Sequence, residues 1–95
     1  MDTTNGPLFK MGIVVATAEA ALALAKSRTQ PEELLDQHAS GMFGEVNEQQ
    51  RRANLDAIRD GGRIVSIFTV ASGDRLHVVT ESNWSSTTIL LEGEA

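Results

Sequence analysis

The sequence predicts a single α+β domain in which one N-terminal strand, three helices and a C-terminal three-stranded meander follow in that order. Three observations carry this expectation. The chain from Arg63 to Glu92 contains three β-rich runs, RIVSIFTVA, RLHVVTE and TTILLE, separated by the turns SGD and SNWSS. The stretch before it is rich in helix formers and is punctuated by capping and breaking residues. Helices come in one run and strands in another, which is incompatible with repeated βαβ units and favours an antiparallel sheet. With 95 residues, 41% of them apolar and 22% charged, the chain has the size and composition of one folded domain spanning residues 1–95.

Residues 1–7 are polar and contain Gly and Pro, so they read as a loose terminus. Phe9, Met11, Ile13 and Val15 then alternate with Lys10, Gly12 and Val14, the period-two pattern of a strand with one strongly apolar face. Thr17 is placed to cap a first helix, AEAALALAK, which is apolar on nearly every side until Lys26 and is therefore expected to pack close to the sheet. Pro31 suits the first position of a second helix, PEELLDQHA, whose Glu32 and Glu33 complement the helix dipole. Gly41 ends that helix and Gly44 permits a second bend. Asn47 and Gln50 carry a capping-box signature opening a third helix, EQQRRANLDAIRD, with a thin stripe of Leu55 and Ile58 flanked by Ala53 and Ala57. In the meander, a type I turn with a glycine bulge at Ser72–Gly73–Asp74 would place Ile64, Ser66, Phe68 and Val70 on one face with Leu76, Val78 and Thr80. Val65, Ile67, His77 and Val79 then share the other face. Since both faces hold apolar residues, the second is expected to be covered or to form an interface, with Val65, Ile67 and Val79 as its contact residues.

Composition excludes several chemistries. The chain has no cysteine, which removes disulfides, thiolate nucleophiles and cysteine-based metal sites. It lacks a signal-peptide pattern and any window as long as a membrane span, so a cytoplasmic protein without membrane association is expected. A net charge of −5 opposes direct nucleic-acid binding by phosphate neutralisation.

No catalytic set and no cofactor are expected. His38 and His77 are the only histidines and neither has metal-ligand spacing. His38 borders the apolar face of its helix at three and four residues from Leu35 and Leu34, the position of a packing or capping residue. A hydrolase using His38 would need a nucleophile or a metal set that does not accompany it. The hydroxyls from Ser82 to Thr88 are accounted for by turn chemistry and β-propensity.

Charge is more informative. Between Pro31 and Glu48 lie five carboxylates, Glu32, Glu33, Asp36, Glu45 and Glu48, and no lysine or arginine. Such a stretch is either a solvated helix face or an acidic docking surface for a basic groove. Phe43 in its glycine-flanked loop and Trp84 in the middle of SNWSS are the aromatic candidates beside it. Each is readable as a core anchor or as a binding anchor.

The patterns HASGMFGEVNEQQRRAN and GGRIVSIFTVASGDRLHVVTESNWSSTTILL resemble a group of small "plasmid-related" proteins encoded on bacterial plasmids, prophages and other mobile elements. That group reads approximately H-x-x-G-x-W-G-[DE], then G-x-R-[IL]-x-S, then W-I-I-T-E-A-D-R-S-x-T-T-x-L-L, and the similarity covers about residues 9–92. Phe43 stands here in place of the tryptophan, and Asn83–Trp84 in place of Asp–Arg. The resemblance implies a mobile-element accessory protein, of the anti-CRISPR or wider anti-defence kind, acting by stoichiometric binding. The expected partner is a protein, a CRISPR effector or another host defence nuclease, engaged through the acidic stretch. The alternative expectation is a structural or regulatory homodimer of a plasmid or phage, paired through Val65, Ile67 and Val79.

Overall fold

The computed structural model describes residues 7–94, so the expected loose terminus falls outside the described residues except for Pro7. The elements are β1 (Ile13–Ala16), α1 (Ala18–Lys26), α2 (Pro31–Ala39), α3 (Glu48–Asp60), β2 (Ile64–Thr69), β3 (Arg75–Thr80), a short 3-10 turn at Ser82–Trp84, and β4 (Ser86–Leu91). The class is α+β, and the described residues form three helices against one four-stranded sheet in the order β1-β4-β3-β2.

Local chemistry fixes the helix starts. Thr17 accepts from the Ala20 N–H at 3.1 Å, and Asn47 accepts from the Gln50 N–H at 2.8 Å, so each satisfies one orphan donor of its helix. At α2 the Glu33 carboxylate reaches back to the Gln30 N–H at 3.0 Å. The Gln50 side chain does not close the expected box. Its Nε2 donates instead to the Asn54 side-chain Oδ1 one turn on, at 2.9 Å.

The meander has the expected register, with Ile64 opposite Thr80, Ser66 opposite Val78 and Phe68 opposite Leu76. Val70 and Asp74 close the hairpin, the Val70 N–H donating to the Asp74 carbonyl at 3.0 Å, with Gly73 left-handed as the bulge requires. The helix-covered face therefore carries Ile64, Ser66, Phe68, Leu76, Val78, Thr80, Thr87 and Ile89, all buried.

Two expectations need correction. The sheet is mixed and not antiparallel throughout: β1, whose direction the sequence leaves open, runs parallel to β4. β1 also begins only at Ile13. Gly12 adopts φ +65° against the carbonyls of Trp84 and Ser85, where a side chain would collide, and this kink breaks the period-two pattern. Phe9 consequently turns into the core with Met11 beside it, while Ile13 and Val15 are exposed. α1 packs against the sheet, as expected, and does so by one side. Ala20, Ala23 and Leu24 face the core, whereas Leu22 remains 56% exposed. Second, the buried face of α3 is Asn54 and Ala57 with Ile58 partly buried, while Leu55 points outward.

The loop after α2 lies along β2. Ile67 donates to the Phe43 carbonyl at 3.0 Å and the Glu45 N–H donates to the Ile67 carbonyl at 2.7 Å, forming a bridge at Gly44. Gly44 sits at φ +72°, where an added Cβ would collide with the Ile67 carbonyl and the Phe68 ring. Gly44→Ala is expected to cost about 3 kcal/mol or more, because the added methyl meets backbone as well as an unfavourable φ. A urea midpoint within error of the parent would refute this account.

Candidate binding surfaces

Two apolar clusters fill the space between helices and sheet. One gathers Leu34, Leu35, Phe68, Leu76, Val78 and Ile89 with the buried residues of α1. The other gathers Phe9, Phe43, Ala57 and Ile64, with Trp84 and Val46 against it. Beside them runs a buried polar chain. His38, with no exposed surface, approaches Ser66 Oγ with Nδ1 at 2.6 Å and Thr80 Oγ1 with Nε2 at 2.9 Å. Thr80 and Thr87 hydroxyls meet at 2.6 Å, and Thr87 donates to the Met11 carbonyl at 2.8 Å.

The last bond orients all the others. A carbonyl only accepts, so the Thr87 proton points to Met11 and the Thr80 hydroxyl must donate to Thr87. Thr80 then accepts from His38, which places the ring proton on Nε2, and Ser66 donates to the bare Nδ1. The chain ties α2 to three strands and to the segment before β1. Burial lowers the imidazole from its usual 6.5 to about 4, so it is neutral at physiological pH.

A serine donating to a histidine nitrogen is the geometry of an activated nucleophile. Here both groups are inside the core, with no exposed surface. The expected packing role of His38 is thus realised as a hydrogen-bonded one. Among the described residues, no group of three or more His, Asp and Glu side chains could hold a metal ion, and no helix is long and apolar enough to cross a membrane. His77 lies on the opposite face, half-buried, with Nε2 3.3 Å from the Glu92 carboxylate.

The acidic stretch does not present five free carboxylates. Glu48 is paired with Arg51 and Arg52 of its own helix, and Glu45 lies 3.7 Å from Arg75. These partners lie downstream in sequence and reach the carboxylates through the turn of α3 and the placement of the 43–45 loop on β2. The surviving acidic face is narrower: Glu32, Glu33 and Asp36, all exposed on α2. Leu34, Leu35, His38 and Ala39 anchor the inner side of the same helix in the core.

Phe43 is only 5% exposed and fills the second cluster, so it is a core anchor and offers no contact surface. Trp84 is half-buried as a lid on that cluster, its ring 5.7 Å from Phe9 and its Nε1 donating to the Gly62 carbonyl at 3.1 Å. This side-chain anchoring accompanies an uncommon backbone, since Asn83 and Trp84 are both left-handed at φ 70° and 56°. Val65, Ile67 and Val79 do share the face opposite the helices, but Val79 is 4% exposed and as it stands contributes almost no contact area.

Sequence reasoning missed Asn54. Its side chain mimics a neighbouring strand: Oδ1 accepts from the Val65 N–H at 3.0 Å and Nδ2 donates to the Val65 carbonyl at 2.7 Å. The available signal was an asparagine in a helix interior, where its propensity is poor unless the amide has a partner. The β2 edge is therefore covered by Asn54 and the 43–45 loop, whereas β1 at the other edge has all four residues exposed.

In comparisons with known proteins, no family model, no curated protein and no solved structure matches this chain.

Proposed function

We propose that the chain is a non-enzymatic accessory protein that works by stoichiometric protein–protein binding. In this reading it is an anti-defence inhibitor of the anti-CRISPR type, and the exposed acidic face of α2 engages a basic, nucleic-acid-binding protein. The observation that carries the reading is the construction of α2. Its inner side is locked by two leucines and the His38 chain, so Glu32, Glu33 and Asp36 are displayed on a rigid element. Carboxylates held in this way complement a basic channel and speed encounter with it, competing with DNA for the same charges.

The test begins with capture of the partner from host cells, followed by competition against DNA. A variant with Glu32→Lys, Glu33→Gln and Asp36→Lys retains a side chain able to reach the Gln30 N–H while reversing the local charge. Binding is expected to weaken at least ~10-fold, mainly through a slower association rate. Unchanged affinity in a folded triple variant would remove this face from the mechanism.

A further inference from the structure

We infer that β1 pairs with β1 of a second copy of this chain, joining two four-stranded sheets into one continuous sheet about a two-fold axis at Val15. The inference is independent of the acidic-face reading and begins with the inequality of the two sheet edges. On β2, the side chain of Asn54 and the backbone of Phe43 and Glu45 occupy the outward groups. On β1, the Ile13 N–H bonds to the Ser85 carbonyl at 3.1 Å and the Thr17 N–H to the Ile89 carbonyl at 2.9 Å. Alternate residues therefore face β4, and Val14 and Ala16 direct their N–H and C=O outward, with no partner among the described residues.

Edges left in this state are usually blunted by charge, proline or a bulge. β1, with the sequence IVVA, has none of these three; its shortness, four residues, is the one blunting feature present, and Ile13 is 72% exposed. The hydrogen-bonding pattern then selects a register. An antiparallel copy with Val14 opposite Ala16 forms two ring pairs related by symmetry and puts Val15 beside Val15 across the axis.

Three features make this register self-complementary. The larger Val14 meets the smaller Ala16, on the helix-covered side of the sheet. Ala16 there borders an open cavity of about 470 Å³ lined by Ala21, Leu24 and Ala25 together with Arg28, Thr29, Gln30 and Pro31, and its apolar part would receive the Val14 side chain of the second copy. The only charges from Pro7 to Ala25 are Lys10 and Glu19, four or five residues to either side of Val15. Antiparallel pairing brings Lys10 of each copy to the end where the other's α1 presents Glu19. The Glu94 carboxylate, which accepts from the Thr17 hydroxyl at 2.8 Å, adds a second negative charge at that end, so two molecules of net charge −5 meet at this edge with opposite charges at each end. Because the β2 edge is covered, addition stops at two copies, giving a closed dimer.

Sedimentation equilibrium of the full chain, from low micromolar to several hundred micromolar concentration, is expected to show a monomer–dimer equilibrium. Val14→Pro removes only an outward N–H, so it should leave the sheet intact and raise the dimer Kd at least ~10-fold. Val15→Lys sets two ammonium groups against each other at the axis and should do the same, providing a second route if the proline variant fails to fold. Lys10→Glu should weaken the dimer, and adding Glu19→Lys should restore it. A chain that stays monomeric throughout, or a dimer indifferent to both Val14→Pro and Val15→Lys, would overturn the inference.

Discussion

Stability measured by denaturant unfolding is expected to fall by about 3 kcal/mol as the pH is lowered from 6.5 to 4, because His38 must stay neutral in the folded core. The sign follows from proton binding. In the unfolded chain the imidazole takes up a proton near its ordinary value of 6.5, whereas in the folded protein burial delays this until about 4. Between those limits the unfolded state holds more protons, so acid favours unfolding. The full contribution is present above the unfolded value and is lost as pH drops toward the folded one. Substitution makes the effect specific. His38→Leu should flatten the slope in this window and lower the neutral-pH plateau by about 2–4 kcal/mol, since Ser66 loses its acceptor and Thr80 its donor inside the core. The same slope in parent and variant would show that His38 does not titrate differently in the two states.

Asn54→Ala is expected to destabilise the fold by about 2–4 kcal/mol and to make it associate. The substitution strips partners from both the N–H and the C=O of Val65, and it leaves the Gln50 amide without its acceptor. A gain in helix propensity at position 54 offsets only a few tenths of a kcal/mol of this. Uncovering the β2 edge also exposes a template for strand addition, so light scattering should rise with concentration in the variant. Asn54→Asp keeps an acceptor for the Val65 N–H but sets a carboxylate against the Val65 carbonyl, and should be no better than alanine. A urea midpoint for Asn54→Ala close to the parent's would mean that water or a shifted loop satisfies Val65 equally well.

How far these features could be read from sequence depended on whether the cause was local. The spans of α2 and α3 match their expected segments to the residue, because Pro31 and Asn47 act on the nearest turn of backbone. The hairpin register followed from Ser72–Gly73–Asp74 in the same way, since one turn type sets which residues face each other. The first strand misled because alternation alone cannot reveal a glycine kink, and Gly12 is required by contact with Trp84 and Ser85, far away in sequence. The acidic stretch misled for a related reason. Charge was counted along the chain, but Arg75 reaches Glu45 only after β3 and the 43–45 loop are placed.

The candidate surfaces divide along the same line. That His38 would pack was legible from its spacing to Leu34 and Leu35, but its partners Ser66 and Thr80 are 28 and 42 residues away and met only once α2 lay across the sheet. For Trp84 the sequence leaves core anchor and binding anchor open, and the indole bond to Gly62 with the Phe9 contact makes it a lid on the core.

By itself the sequence determined the α+β class, the helix spans and the two faces of the meander, all of which rest on periodicity and on caps acting over a few residues. Only the tertiary structure decided the parallel placement of β1, the polar chain through His38, and which sheet edge is covered. Each of these depends on backbone groups finding partners across long separations, a requirement that every residue shares and that no local pattern records.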